Sequence, residues 1–215
     1  MEASKPDGFL AISSTGIGPG VLVLHPWWGL NDTIKTVCSR LASSGFTAFA
    51  PDLYHGKIAE TIPEAKALAT ALDDEQAGTE VLRAAAFLLH RSEVSSSGLA
   101  VIGFSLGAFL ALNLSSSDAE HIRKVVIFYG TGPDDFSRSK AEYLGHFADS
   151  DEFEPASSVD ALEASLRRAG RPVSFYRYKD TGHWFFEPDR KDAFNEVAAK
   201  LAWERTMRFL GEPAR

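Results

Sequence analysis

Short, unbroken apolar runs alternate along this chain with longer stretches of helical periodicity. The first run is Val21-Leu22-Val23-Leu24, bounded by Gly20 and Pro26. Phe46-Thr47-Ala48-Phe49-Ala50 follows and is stopped by Pro51. Then come Leu99-Ala100-Val101-Ile102 and Val125-Val126-Ile127-Phe128-Tyr129, the latter stopped by Gly130. Runs of this length without polar alternation suit strands buried on both faces. Residues 143–147 form a weaker fifth strand and residues 173–178 a sixth, while Phe9-Leu10-Ala11-Ile12 adds an edge strand. Between the runs, apolar residues recur at helical spacing. Ile34, Val37, Cys38 and Leu41 follow the N-cap signal Asn31-Asp32, and their helix ends near Gly45. Residues 63–90 are helical with a break near Asp73-Asp74, and residues 106–114 and 159–169 are helical as well. A closing amphipathic helix is expected over residues 190–210, through Phe194, Val197, Leu201 and Phe209.

This alternation predicts a mostly parallel sheet with helices on both faces. A single three-layer α/β domain over residues 1–215 is expected, with no insertion long enough for a large lid. A length of 215 residues fits one domain, and 45% hydrophobic with 24% charged residues excludes disorder as the main state. The net charge of −7 and the pI near 5.4 argue against nucleic acid as a partner. Cys38 is the one cysteine, which excludes an internal disulfide and fits a reducing interior. No apolar run reaches the ~18 residues of a membrane span. Residues 1–8 are polar and lack a secretory pattern. A cytoplasmic protein without a membrane partner is expected, and the oligomeric state is left open.

In open parallel sheets the reactive crevice lies beyond the carboxyl ends of the strands, so the residues after each strand matter most. After the third buried strand comes Gly103-Phe104-Ser105-Leu106-Gly107, a G-x-S-x-G pattern between strand and helix. That setting is required for a nucleophile elbow, whose turn exposes the Ser105 hydroxyl at a helix N-terminus. The alternative is a glycine turn in which Ser105 merely caps the helix. A serine needs a base. Three histidines lie downstream of Ser105. His183, in Thr181-Gly182-His183-Trp184, follows the sixth strand at the crevice end. His121 precedes a strand and so falls at the wrong end, and His146 reads as a core or rim residue. For the acid that orients the base, Asp149 and Asp151 compete, with Asp134-Asp135 as an earlier alternative. One oxyanion donor is the backbone N–H of Leu106. The second should come from the loop His25-Pro26-Trp27-Trp28-Gly29, where Pro26 has no N–H and Trp27 is the candidate. One tryptophan of this pair is expected to pack and the other to line the pocket. Tyr54, after the second strand, could line it too, against a reading in which Asp52 caps a turn and Tyr54 packs. No histidine–carboxylate spacing suggests a metal, and no phosphate-binding glycine motif is present.

Over nearly its whole length the chain resembles the dienelactone hydrolase family, small α/β-hydrolases without a large lid. The likeness rests on Trp28-Gly29-Leu30-Asn31, Ala50-Pro51-Asp52-Leu53-Tyr54, the elbow, Asp151-Glu152-Phe153-Glu154-Pro155 and Gly182-His183-Trp184-Phe185. The resemblance implies a cofactor-free hydrolase of esters or lactones with Ser105, Asp151 and His183 as its triad; the family pattern D-x-x-x-P selects Asp151. It also implies departures. Family members that open dienelactones carry cysteine where Ser105 stands, glutamate where Pro26 stands, and arginine where Glu187 stands. The last reverses the charge expected to hold a substrate carboxylate. A pocket with Trp28 or Trp27, Tyr54 and Trp184 as apolar lining and Glu187 as its charge would therefore prefer neutral or cationic substrates. Alternatively Glu187 turns outward and pairs with Arg190. The same departures motivate a rival of another class, a catalytically inactive hydrolase-like protein that binds a small ligand or a partner.

Overall fold

The structure, a computed structural model, describes residues 5–211, so part of the polar segment 1–8 lies outside it. Seven strands form one sheet in the order β1-β3-β2-β4-β5-β6-β7. Strand β1 (Gly8–Ala11) runs antiparallel to β3 (Thr47–Pro51). Strands β2 (Gly20–Leu24), β4 (Leu99–Phe104), β5 (Ile122–Phe128), β6 (Glu142–Ala148) and β7 (Val173–Tyr178) continue in parallel. Helix α1 (Asp32–Ser43) and the closing helix α6 (Glu196–Gly211) bury their apolar residues on one side. Helices α3 (Asp74–Leu89), α4 (Leu106–Ser117) and α5 (Ala156–Arg168) do so on the other. The result is a three-layer α/β-hydrolase architecture without a large lid.

Local chemistry sets the boundaries. Asn31 caps α1 by accepting the Ile34 N–H. The expected break in residues 63–90 separates α2 (Ile62–Ala71) from α3. Thr61 and Glu64 form a capping box at α2, and Asp73 caps α3 through the Gln76 N–H. Two readings change. Strand β6 is buried along its whole length, and the half-exposed edge is β7. Its pattern looked weak because it inters polar groups that find partners across the fold. His146 bonds the Tyr178 and Thr206 hydroxyls at 2.8 and 3.0 Å. The Tyr143 hydroxyl meets Ser115 and Ser139.

The closing helix starts at Glu196 rather than residue 190, after turns around Pro188, with Asn195 accepting the Ala198 N–H. Its buried face is Ala198, Ala199, Ala202, Thr206 and Leu210, whereas Val197 is 79% exposed. Small residues on this face allow the close approach that the Thr206–His146 bond needs. Among the described residues, no helix is long and apolar enough to cross a membrane.

Candidate active site

Five strand ends deliver the residues of one cleft region. Trp27 follows β2, Ser105 follows β4, Tyr129 follows β5, Asp151 follows β6 and His183 follows β7. Ser105 sits at φ 50°, ψ −111°, a left-handed backbone that costs a non-glycine residue energy. It is held there by its N–H on the Phe128 carbonyl and by its own carbonyl accepting from Ala108 and Phe109. Glycines make the turn possible. A Cβ at Gly103 would lie 2.2 Å from the Gly107 carbonyl oxygen, and one at Gly107 would lie 2.2 Å from that of Leu24. Gly130 is a third such position, because its Cβ would meet the Ser105 carbonyl oxygen at 2.6 Å.

The Ser105 Oγ lies 3.0 Å from His183 Nε2. On the other side of the ring, His183 Nδ1 lies 2.8 and 2.9 Å from the two Asp151 carboxylate oxygens. A carboxylate can only accept, so Nδ1 carries the proton and Nε2 is left to accept from the serine. Both the His183 and Asp151 side chains are only 4% exposed. Asp151 also accepts the N–H groups of Phe153 and Glu154 at 2.9 and 3.0 Å, which fixes its plane. The imidazole is boxed by rings of Tyr129, Phe153 and Trp184, with centroids 4.9, 5.0 and 5.0 Å away. Asp149 is exposed and Asp134 is exposed, so neither joins this group.

A cleft of about 430 Å³ opens over Ser105 and His183. Trp27 and Leu106 line it, as do Phe109, Thr131, Phe153 and Glu154. Leu106 opens α4, where first-turn N–H groups have no partner within the helix. The Trp27 loop is pinned from below by His25, a residue the sequence reading passed over. His25 Nδ1 meets the Pro26 carbonyl at 2.8 Å and Nε2 accepts the Leu53 N–H at 3.3 Å, which places the proton on Nδ1. Burial pushes the His25 pKa down and keeps the ring neutral in this bridging role.

The other expected pocket residues lie elsewhere. Trp28 packs on Ala59, Ala65 and Trp184, beneath the Arg190 guanidinium at 3.8 Å, and it is Trp27 that faces the cleft. Tyr54 is buried in a turn whose N–H groups, at Tyr54 and Gly56, bond the Asp52 carboxylate. Trp184 backs His183 from the far side, next to residues 192–195. Glu187 neither lines the cleft nor pairs outward with Arg190. It is fully buried and accepts the Tyr129 hydroxyl hydrogen at 2.7 Å. Phe109, 38% exposed one helical turn beyond Ser105, was not legible, because its helix is apolar on every face and no periodicity marks the side that meets the cleft. Thr131 was legible only from its place after β5.

Burial pushes the Glu187 carboxyl up to about 8, with Asp189 raising it and the Tyr129 hydroxyl and Arg190 opposing. Between pH 4.5 and 8 the folded chain thus retains a proton that the unfolded chain has released. Stability therefore falls as pH rises through this window. Glu187→Gln should remove that slope. The expected result is that the Tm of the variant, relative to the wild type, improves from pH 5 to pH 9. A difference that stays constant across those pH values would contradict the buried, proton-holding carboxyl.

Comparison with known proteins gives a consistent picture. The dienelactone hydrolase family matches residues 7–213. Protein usf of Aquifex pyrophilus is 31% identical, with 97% of this chain and 94% of that protein covered. A protein of Aquifex aeolicus assigned as a carboxymethylenebutenolidase is 28% identical, over 95% of this chain and 92% of its own. A Klebsiella pneumoniae crystal structure assigned as a dienelactone hydrolase superposes with a TM-score of 0.81 at 23% identity, covering 94% of this chain and 90% of that one.

Proposed function

The chain belongs to the dienelactone hydrolase family, and from that premise we propose that it hydrolyses carboxylic esters or lactones with Ser105 as nucleophile. Ser105 Oγ attacks the carbonyl carbon while His183 Nε2 takes its proton. Asp151 holds the imidazole in the required tautomer and stabilises the imidazolium. The oxyanion of the tetrahedral intermediate is received by the backbone N–H groups of Leu106 and Trp27. As the carbon–oxygen bond to the leaving alkoxide breaks, His183 gives that oxygen the proton. With a lactone, the alkoxide remains tethered to the acyl group. A water then attacks the acyl-serine, its proton passing to His183 and on to Ser105, and the carboxylic acid leaves. No step calls for a metal or an organic cofactor.

The observation that carries this reading is the unbroken relay from Ser105 to His183 at 3.0 Å and on to Asp151 at 2.8 Å, with the serine on a strained elbow. A decayed binding protein has no physical need for that strain. The family name and the butenolidase assignment of the Aquifex aeolicus relative favour cyclic esters among the substrates. The cytoplasm suits the buried free thiol of Cys38. Hydrolysis of short p-nitrophenyl esters and of a five-membered lactone by the wild type, and its loss on Ser105→Ala, tests the proposal.

A further inference from the structure

With Glu187 interred beneath Tyr129, the charge that the substrate meets comes from another residue. Among the described residues that line the cleft with Ser105 and His183, Glu154 is the one carboxylate, and none is a lysine or arginine. Its position is not accidental to the chemistry. The Glu154 N–H is bonded to one of the two Asp151 oxygens that face His183, so the backbone that aims the base also aims this side chain. Thr131, which follows β5, fixes the carboxylate with two donors. Its N–H meets Oε1 at 3.3 Å and its hydroxyl meets Oε2 at 2.8 Å. Both oxygens accept, and two bonds occupy only half of a carboxylate's roughly four acceptor sites. Burial pushes the Glu154 carboxyl up, with the two Thr131 bonds and His183 opposing and Asp151 adding to the rise. The other large side chains on the walls, Trp27, Phe109 and Phe153, offer no opposite charge.

We propose that Glu154 is a specificity-determining residue of this cleft: it favours substrates whose non-reacting end carries a positive charge or a hydrogen-bond donor and turns away those that carry a carboxylate. The inference rests on the reading of Ser105 as nucleophile. A second carboxylate brought into this cleft has no cation to meet and faces a fixed negative charge in a partly desolvated setting, where screening by solvent is weakened. An ammonium or hydroxyl group instead completes the unused acceptor sites. A clasp with only a structural role would hold the loops of Thr131 and Glu154 together without regard to substrate charge, and this difference is measurable.

The test compares three p-nitrophenyl esters of similar size: the neutral pentanoate, the glutarate monoester with its free carboxylate, and the 4-(trimethylammonio)butanoate. In the wild type the glutarate ester should have the lowest kcat/KM. In Glu154→Gln the ratio of glutarate to pentanoate should rise about tenfold, and the ratio of trimethylammonio ester to pentanoate should fall by a similar factor. Unchanged ratios, with all three esters shifted alike, would reduce Glu154 to a clasp and overturn the inference. If the wild type turns over none of the esters, the hydrolase reading fails. The inference is then decided by calorimetry on Ser105→Ala and on the Ser105→Ala, Glu154→Gln double variant. Glutarate binding about tenfold tighter in the double variant would sustain it, and equal affinities would overturn it.

Discussion

Replacing Ser105 with alanine should lower kcat/KM for short p-nitrophenyl esters by about 10⁴-fold or more, with KM little changed. The size follows from what the hydroxyl does in the proposed reaction. It forms the bond that splits one difficult displacement into two easier ones, and without it His183 and Asp151 have nothing to activate in place. Some acceleration over water should remain, because the Leu106 and Trp27 N–H groups would still face a developing oxyanion. The fold should be indifferent. The Ser105 backbone bonds to Phe128, Ala108 and Phe109 involve no side-chain atom. Loss of the hydroxyl also leaves no buried donor stranded, and alanine tolerates the φ of 50° about as poorly as serine does. A variant with an unchanged Tm and an unchanged rate would remove Ser105 from its role.

Gly107→Ala should be severely damaging, to the fold and to the site at once. Its Cβ would sit 2.2 Å from the Leu24 carbonyl oxygen and 2.8 Å from that of His25, both of them backbone atoms that cannot rotate away. Helix α4 would have to back off from β2, carrying Leu106 away from Trp27 and Ser105 away from His183. Overpacking against backbone of this kind costs about 3 kcal/mol, which for a chain of this size lowers Tm by roughly 6–12 °C. Activity should fall at least about 100-fold, since a displacement near 1 Å in a catalytic array has that effect. Gly78→Ala provides the contrast. Gly78 lies inside α3, and an added Cβ would meet nothing within 4 Å beyond its chain neighbours and its own helix backbone, so the change should raise stability by about 0.5–1 kcal/mol and leave activity alone. Similar Tm losses for the two variants would contradict the steric account of the elbow.

The sheet and the elbow were legible in the sequence because they are written in local signals. Val21-Leu22-Val23-Leu24 and Leu99-Ala100-Val101-Ile102 are apolar without alternation, as two-sided burial requires, and each is punctuated by glycine or proline. The glycines of the Ser105 turn, and the place of His183 after a strand, follow from chain order alone. Asp151 was not separable from Asp149 by the residues themselves. Two positions apart in one loop, they differ in that Asp151 turns inward to Phe153, Glu154 and His183, and only the family likeness distinguished them beforehand.

What stayed illegible was set by contacts between distant segments. Glu187 is buried because Tyr129, 58 positions away, supplies a hydroxyl under the imidazole. Nothing near Glu187 in the chain announces this. Trp27 and Trp28 are adjacent and chemically equal, and the choice of which one faces the cleft falls to Ala59, Ala65 and Arg190, which receive Trp28. Glu154 lay in full view within Asp151-Glu152-Phe153-Glu154-Pro155, but its direction is fixed by Thr131, 23 positions away. The onset of α6 was misplaced because residues 190–195 keep a helical apolar spacing while the turns around Pro188 hold them out of the helix.

The central claim is that Ser105 is an activated nucleophile. Treatment of the folded protein with a fluorophosphonate, followed by intact mass and peptide mapping, tests it most directly. Attack by an activated Oγ displaces fluoride and leaves a phosphonyl group on the serine. The account predicts one adduct per chain, formed within minutes, in the tryptic peptide covering residues 92–123 and assigned to Ser105, with none in Ser105→Ala. A folded wild-type protein that hydrolyses esters yet takes up no label, or takes it up equally well in Ser105→Ala, would contradict it.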